Sequence, residues 1–65
     1  MVRVNGKEIE NIEGKNIGTY LKEAGFDRQK VAVERNGEIV PKKYYDEVII
    51  SEADTLEVVS FVGGG

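Results

Sequence analysis

Three consecutive glycines, Gly63, Gly64 and Gly65, follow directly on the apolar run Leu56 to Val62. The terminal carboxylate therefore sits on a side-chain-free thread that leaves an expected strand. Glycine makes up about 7% of an average sequence, so three in a row at one chosen place is a pattern that composition alone seldom gives. A thread without Cβ atoms enters a channel only as wide as the backbone, and three residues reach at most about 10 Å. The chemistry this suits is delivery of the chain's own carboxylate, as the reactive group, into the active site of another protein.

The rest of the inventory offers little chemistry of its own. The chain has no cysteine and no histidine, which removes disulfides, thiolate nucleophiles, zinc sites built on sulfur or imidazole, and the usual general base near neutral pH. Twelve Asp and Glu stand against nine Lys and Arg, scattered among one another, and no carboxylate pair stands out for acid–base work. No catalytic residue and no metal ligand are expected, and the chain reads as a non-enzyme.

The net charge of −3 argues against nucleic acid, whose binding rests on clustered Lys and Arg. Lys42 and Lys43 form the one adjacent basic pair, and in an expected turn they read as a solvated corner. The sequence shows no signal-peptide apolar core and no stretch approaching the roughly 20 apolar residues that span a bilayer. A soluble, cytoplasmic protein without membrane contact is expected.

Sixty-five residues make one domain that buries only about 60% of its unfolded surface, so residues 1–62 are expected to share one small core, with 63–65 as a flexible glycine tail. Val2-Arg3-Val4, Asn5-Gly6 and Lys7-Glu8-Ile9-Glu10 give the pattern of a hairpin with a two-residue type I′ turn. Its register places Val4 against Lys7, Arg3 against Glu8 and Val2 against Ile9. A second hairpin repeats the signal around Asn36-Gly37, with Arg35 facing Glu38, Val33 facing Val40, and Pro41 closing the strand.

Between the hairpins, Asn16 is placed to cap a helix whose inward stripe is Ile17, Tyr20, Leu21 and Ala24, with Gly25 as its stop. Gly18 inside this helix costs about 1 kcal/mol relative to alanine, and close approach of helix to sheet is the expected reason. Tyr44 and Tyr45 are expected as lids over core edges, and Ser51 to Asp54 as a turn before the last strand. One helix must cover one face of a mixed sheet of four to five strands. The simplest solution is an α+β roll with the first and last strands parallel at its centre. Strand alternation then points Leu56 and Val58 inward and Glu57, Val59 and Phe61 to the uncovered face, beside Ala32 and Glu34. Together with Val62, the residues Val59, Phe61, Ala32 and Glu57 form the expected docking surface for a partner.

With these elements in place the chain resembles the ThiS family, the sulfur carrier proteins of thiamin biosynthesis, which are ubiquitin-like β-grasp proteins. The resemblance spans the whole length and is most specific from Val31 to Pro41 and from Leu56 to Gly65. The chain departs from the family at Ala53-Asp54, where Gly-Asp is common, and at Gly18. The resemblance implies that a ThiF-like adenylyltransferase, similar to ubiquitin-activating enzymes, threads the tail beside ATP and joins the Gly65 carboxylate to AMP. It implies that a persulfide donor then displaces AMP, leaving a thiocarboxylate at Gly65 that a ThiG-like thiazole synthase uses in thiazole formation. ATP belongs to the activating enzyme, and no cofactor is expected on the domain itself. Alternatives with the same tail chemistry are a ubiquitin-like protein modifier and a carrier for tRNA thiolation or molybdopterin synthesis; an interaction domain with an inert tail is an alternative of another class.

Overall fold

Both Asn-Gly pairs adopt the left-handed conformation that a type I′ turn requires: φ is 53° at Asn5, 84° at Gly6, 53° at Asn36 and 85° at Gly37. They close the hairpins β1 (Val2–Val4) with β2 (Lys7–Ile9) and β3 (Val31–Arg35) with β4 (Glu38–Val40). The registers are those read from the sequence, Val2 with Ile9 and Arg3 with Glu8 in the first, Val33 with Val40 and Arg35 with Glu38 in the second. The computed structural model describes residues 1–61, so Val62 and the glycines Gly63, Gly64 and Gly65 lie outside the described residues.

Strand β5 (Thr55–Ser60) occupies the centre of the sheet, whose order is β2-β1-β5-β3-β4. It runs parallel to β1 and antiparallel to β3, which is the α+β β-grasp arrangement expected. Its burial alternates: Leu56 and Val58 are buried, while Thr55, Glu57 and Val59 are exposed. This is the pattern of a strand with one face on the core and one face open.

The helix α1 (Ile17–Glu23) begins where Asn16 Oδ1 accepts a 2.7 Å hydrogen bond from the Thr19 N–H. It ends where Gly25 takes φ of 89°, with Gly25 N–H donating to the Lys22 carbonyl at 3.2 Å and Phe26 N–H to the Leu21 carbonyl at 2.9 Å. These two bonds form a Schellman cap, which satisfies carbonyls that the helix leaves unpaired. Ile17, Tyr20 and Leu21 are buried as expected, but Ala24 is exposed. Ala24 is already the C-cap, past the last turn whose stripe faces the sheet.

Gly18 also departs from expectation. A Cβ there would lie 2.1 Å from Asp46 Oδ1 and 2.9 Å from Arg28 Nη1, so the close neighbour is an ion pair crossing the helix, not the sheet. Tyr45 is a core residue, 1% exposed, rather than a lid, and its hydroxyl makes a long 3.4 Å hydrogen bond to the Val31 carbonyl. Tyr44 stays outside. The reason is the 3-10 turn Lys42–Tyr44 after Pro41, which directs Tyr45 beneath α1, where its carbonyl accepts from the Gly18 N–H at 2.9 Å. Val48 and Ile50 then bind the segment before the helix, through Ile17 N–H to the Val48 carbonyl and Ile50 N–H to the Lys15 carbonyl.

Candidate functional site

The described part of the candidate site is the end of β5 and Phe61, immediately ahead of residues 62–65 in the sequence. Strand β5 is paired on both flanks, and the ladder to β3 continues past Ser60, because the Phe61 N–H donates to the Lys30 carbonyl at 2.9 Å. Two side chains add to the backbone pairing. Asn5 Oδ1 accepts from the Val58 N–H at 2.7 Å while its Nδ2 donates to the Val58 carbonyl at 3.1 Å. Asn36 Oδ1 accepts from the Thr55 N–H at 2.9 Å, and the Asn36 N–H donates to the Thr55 carbonyl at 2.8 Å. The asparagines thus do more than tolerate positive φ; each turns its amide onto the central strand.

The start of β5 is fixed by Asp54, which is 5% exposed. Its carboxylate accepts from the Ser51 N–H at 2.8 Å, from Arg35 Nε at 2.8 Å and from Asn36 Nδ2 at 3.0 Å. Burial pushes this carboxyl upward, but the Ser51, Arg35 and Asn36 hydrogen bonds outweigh it and hold the group below its ordinary value. The Asp54 carbonyl also accepts from the Arg3 N–H at 3.0 Å. One residue therefore joins β1, the second hairpin and the entry to β5. From the sequence this segment is only a turn, and the one signal for more is an aspartate two residues before the apolar run.

On the open face, Ala32 stands opposite Val59 and Glu34 opposite Glu57. Val59 is 60% exposed, and Ile39, on β4 at the far side of β3, is 64% exposed. Two like charges directly opposite each other destabilise a sheet slightly. Phe61 is half-buried and lines an open apolar groove of about 200 Å³ with Ala32, Ile39, Pro41 and Lys42. The Lys42 ammonium lies 5.2 Å from the centroid of the Phe61 ring and donates to the Gln29 carbonyl at 2.8 Å. Lys42 is therefore engaged, unlike the solvated corner the sequence suggested, whereas Lys43 lies over the exposed ring of Tyr44 at 5.2 Å.

Of the expected docking residues, the structure brings Ala32, Val59 and Glu57 together on neighbouring strands and joins Phe61 to Ala32 along the groove. Val62 lies outside the described residues, as do Gly63, Gly64 and Gly65. Among the described residues no group of three or more Asp or Glu side chains is placed to hold a metal ion, and no helix is long and apolar enough to cross a membrane.

Among the described residues, one α-helix on a five-stranded mixed sheet, with β5 at its centre and pinned by side chains from both hairpin turns, defines a small β-grasp domain. Residues 2–65 match the sequence model of the ThiS family, and the chain belongs to that family. It is 40% identical over 68 aligned residues to the sulfur carrier protein ThiS of Bacillus subtilis (strain 168), with all of both chains covered. The crystal structure of a thiamine biosynthesis protein (ThiS) from Geobacter metallireducens superposes with a TM-score of 0.78 at 30% identity, covering 98% of this chain and 97% of that one. A thiazole synthase of Paramagnetospirillum magneticum is 47% identical over 62 residues, 95% of this chain and 19% of that protein. One of Magnetococcus marinus is 39% identical over 64 residues. The chain thus spans about a fifth of the length of these two relatives.

Proposed function

We propose that this chain is a sulfur carrier of thiamin biosynthesis whose reactive group is the Gly65 carboxylate. The observation that carries the reading is the anchoring of β5, the central strand, which ends two residues before three glycines. A fixed pedestal followed by a thread without side chains suits insertion of the terminus into a partner's active site. A carboxylate oxygen attacks the α-phosphorus of ATP held by a ThiF-like adenylyltransferase, and pyrophosphate leaves. The terminal sulfur of a donor persulfide attacks the acyl carbon and AMP leaves. A thiol then takes the donor's sulfur as a disulfide, which releases the thiocarboxylate. Relatives named thiazole synthase that contain a region similar to this chain support a ThiG-like enzyme as the acceptor.

The chain's own residues serve as substrate and handle in these steps. Because the sequence holds no cysteine, no internal thiol competes for the activated acyl group. Val59, Phe61, Ala32 and Glu57, with Val62, are the docking surface of this reading; an exposed apolar patch beside an aromatic fits the anchoring core of an interface.

Intact mass of the protein isolated from its source cells tests the proposal, the expected result being replacement of one terminal oxygen by sulfur. Deleting Gly64 and Gly65 should leave unfolding unchanged and abolish ATP–pyrophosphate exchange by a ThiF-like enzyme. Undiminished exchange by the truncated chain overturns the reading. Higher-mass conjugates in cell extract with ATP would instead identify a protein modifier.

A further inference from the structure

We propose that Lys42 is a positioning residue that holds Phe61 in place at the end of β5, immediately ahead of the terminal residues; the catalytic consequence rests on the carrier reading above. Three segments converge on Phe61. Its backbone is tied to Lys30, and its ring lies beneath the Lys42 ammonium at 5.2 Å from the centroid, within the range of a cation–π contact. The ammonium is itself anchored to the Gln29 carbonyl.

That anchor is a fixed one. Gln29 and Lys30 belong to the 3-10 turn Arg28–Lys30, capped by Asp27, whose carboxylate accepts from the Gln29 N–H at 2.9 Å and whose carbonyl accepts from the Lys30 N–H at 2.8 Å. On the other side, Pro41 opens the turn that carries Lys42, with φ of −62°, and buried Tyr45 ends it. Lys42 therefore bridges two short rigid turns across the ring of Phe61, just before the last four residues. Ordering Phe61 in the free protein lowers the entropy that must be lost when a partner takes up the terminus.

The test compares Lys42→Met, which keeps the aliphatic stem and removes the charge, with Lys42→Arg and with Lys43→Met, which makes the same charge change over Tyr44. Two readouts are taken on the full chain: ¹⁵N relaxation and ring-proton shifts of Phe61, and the KM for the carrier in ATP–pyrophosphate exchange by a ThiF-like enzyme. Lys42→Met should lower the Phe61 amide order parameter, move its ring shifts, and raise KM about two- to fivefold with kcat little changed, the range of a partly exposed cation–π contact. Lys42→Arg should restore both, and Lys43→Met should move neither.

Unchanged Phe61 signals in Lys42→Met overturn the proposal, and so does a KM rise shared equally by Lys43→Met, which would mark simple charge steering. A KM rise in Lys42→Met without any change at Phe61 would mark direct contact with the partner and also overturns it. If the wild-type chain itself supports no exchange, the carrier reading fails, while the Phe61 signals still judge the clamp.

Discussion

Replacing Asp54 by alanine removes three hydrogen bonds at once, from the Ser51 N–H, Arg35 Nε and Asn36 Nδ2. Hydrogen bonds to a charged group contribute about 1.5–3 kcal/mol each. The Arg35 side chain is 35% exposed and regains water when its partner is lost, so its bond is left out of the sum, and the other two are taken at the low end. A total near 3 kcal/mol follows, against about 3–10 kcal/mol for a domain of this size. The melting temperature should fall by about 12–24 °C, measured by circular dichroism at pH 7 with urea unfolding alongside.

The pH dependence adds a sharper check. The Asp54 carboxyl lies below its ordinary value in the fold, so its charge stabilises the native state above the unfolded value of about 3.9. That contribution is lost as pH falls through the lower, folded value. The stability gap between wild type and Asp54→Ala should be flat from about pH 5 to 8 and narrow below about pH 4. A gap under about 1 kcal/mol at pH 7, or one that stays constant into strong acid, would refute the reasoning, because the hydrogen bonds to a charged Asp54 would then contribute little.

Other substitutions separate roles that the structure joins. Asn36→Gly keeps the positive φ of the turn but removes the amide bonds to Thr55 and Asp54, and should cost about 1–2 kcal/mol by urea unfolding. Gly18→Ala gains helix propensity of about 1 kcal/mol but displaces the Arg28–Asp46 pair, so it should be near neutral in the wild type and stabilising by about 1 kcal/mol in an Asp46→Ala background. A double-mutant cycle reads this difference directly. Val59→Asp on the exposed face should change stability by about 1 kcal/mol or less, yet raise the carrier's KM in ATP–pyrophosphate exchange about tenfold if Val59 lies in the docking interface.

The features legible in the sequence were those set by local rules. Each Asn-Gly pair fixes a turn type, and the turn fixes the hairpin register, so Arg3 against Glu8 and Val33 against Val40 follow without knowledge of the whole. The same holds for the Asn16 and Gly25 caps. The central place of β5 and its parallel neighbour β1 follow from the need to cover one sheet face with one helix, and both are present.

What escaped the sequence depends on residues far apart in the chain. Asp54 meets Arg35 and Asn36 only because β3 pairs with β5, and Asn5 meets Val58 only because β1 flanks the same strand. No local pattern distinguishes an asparagine that permits a turn from one that also grips a neighbouring strand. The surroundings of Gly18 and Tyr45 are non-local in the same way. Their environment is made by the connection after β4, whose 3-10 turn carries a short Lys-Lys-Tyr sequence with no strong periodicity.

The parallel pairing of β1 with β5 has a mechanical consequence. A pull on the end of the chain, resisted at its beginning, acts along two neighbouring strands in opposite directions, with their connecting bonds lying across the line of force. The load is then shared by several bonds at once instead of opening them one by one, and the Asn5 amide adds further rungs at Val58. A pull along β5 is therefore met by the β1 ladder and the Asn5 rungs together.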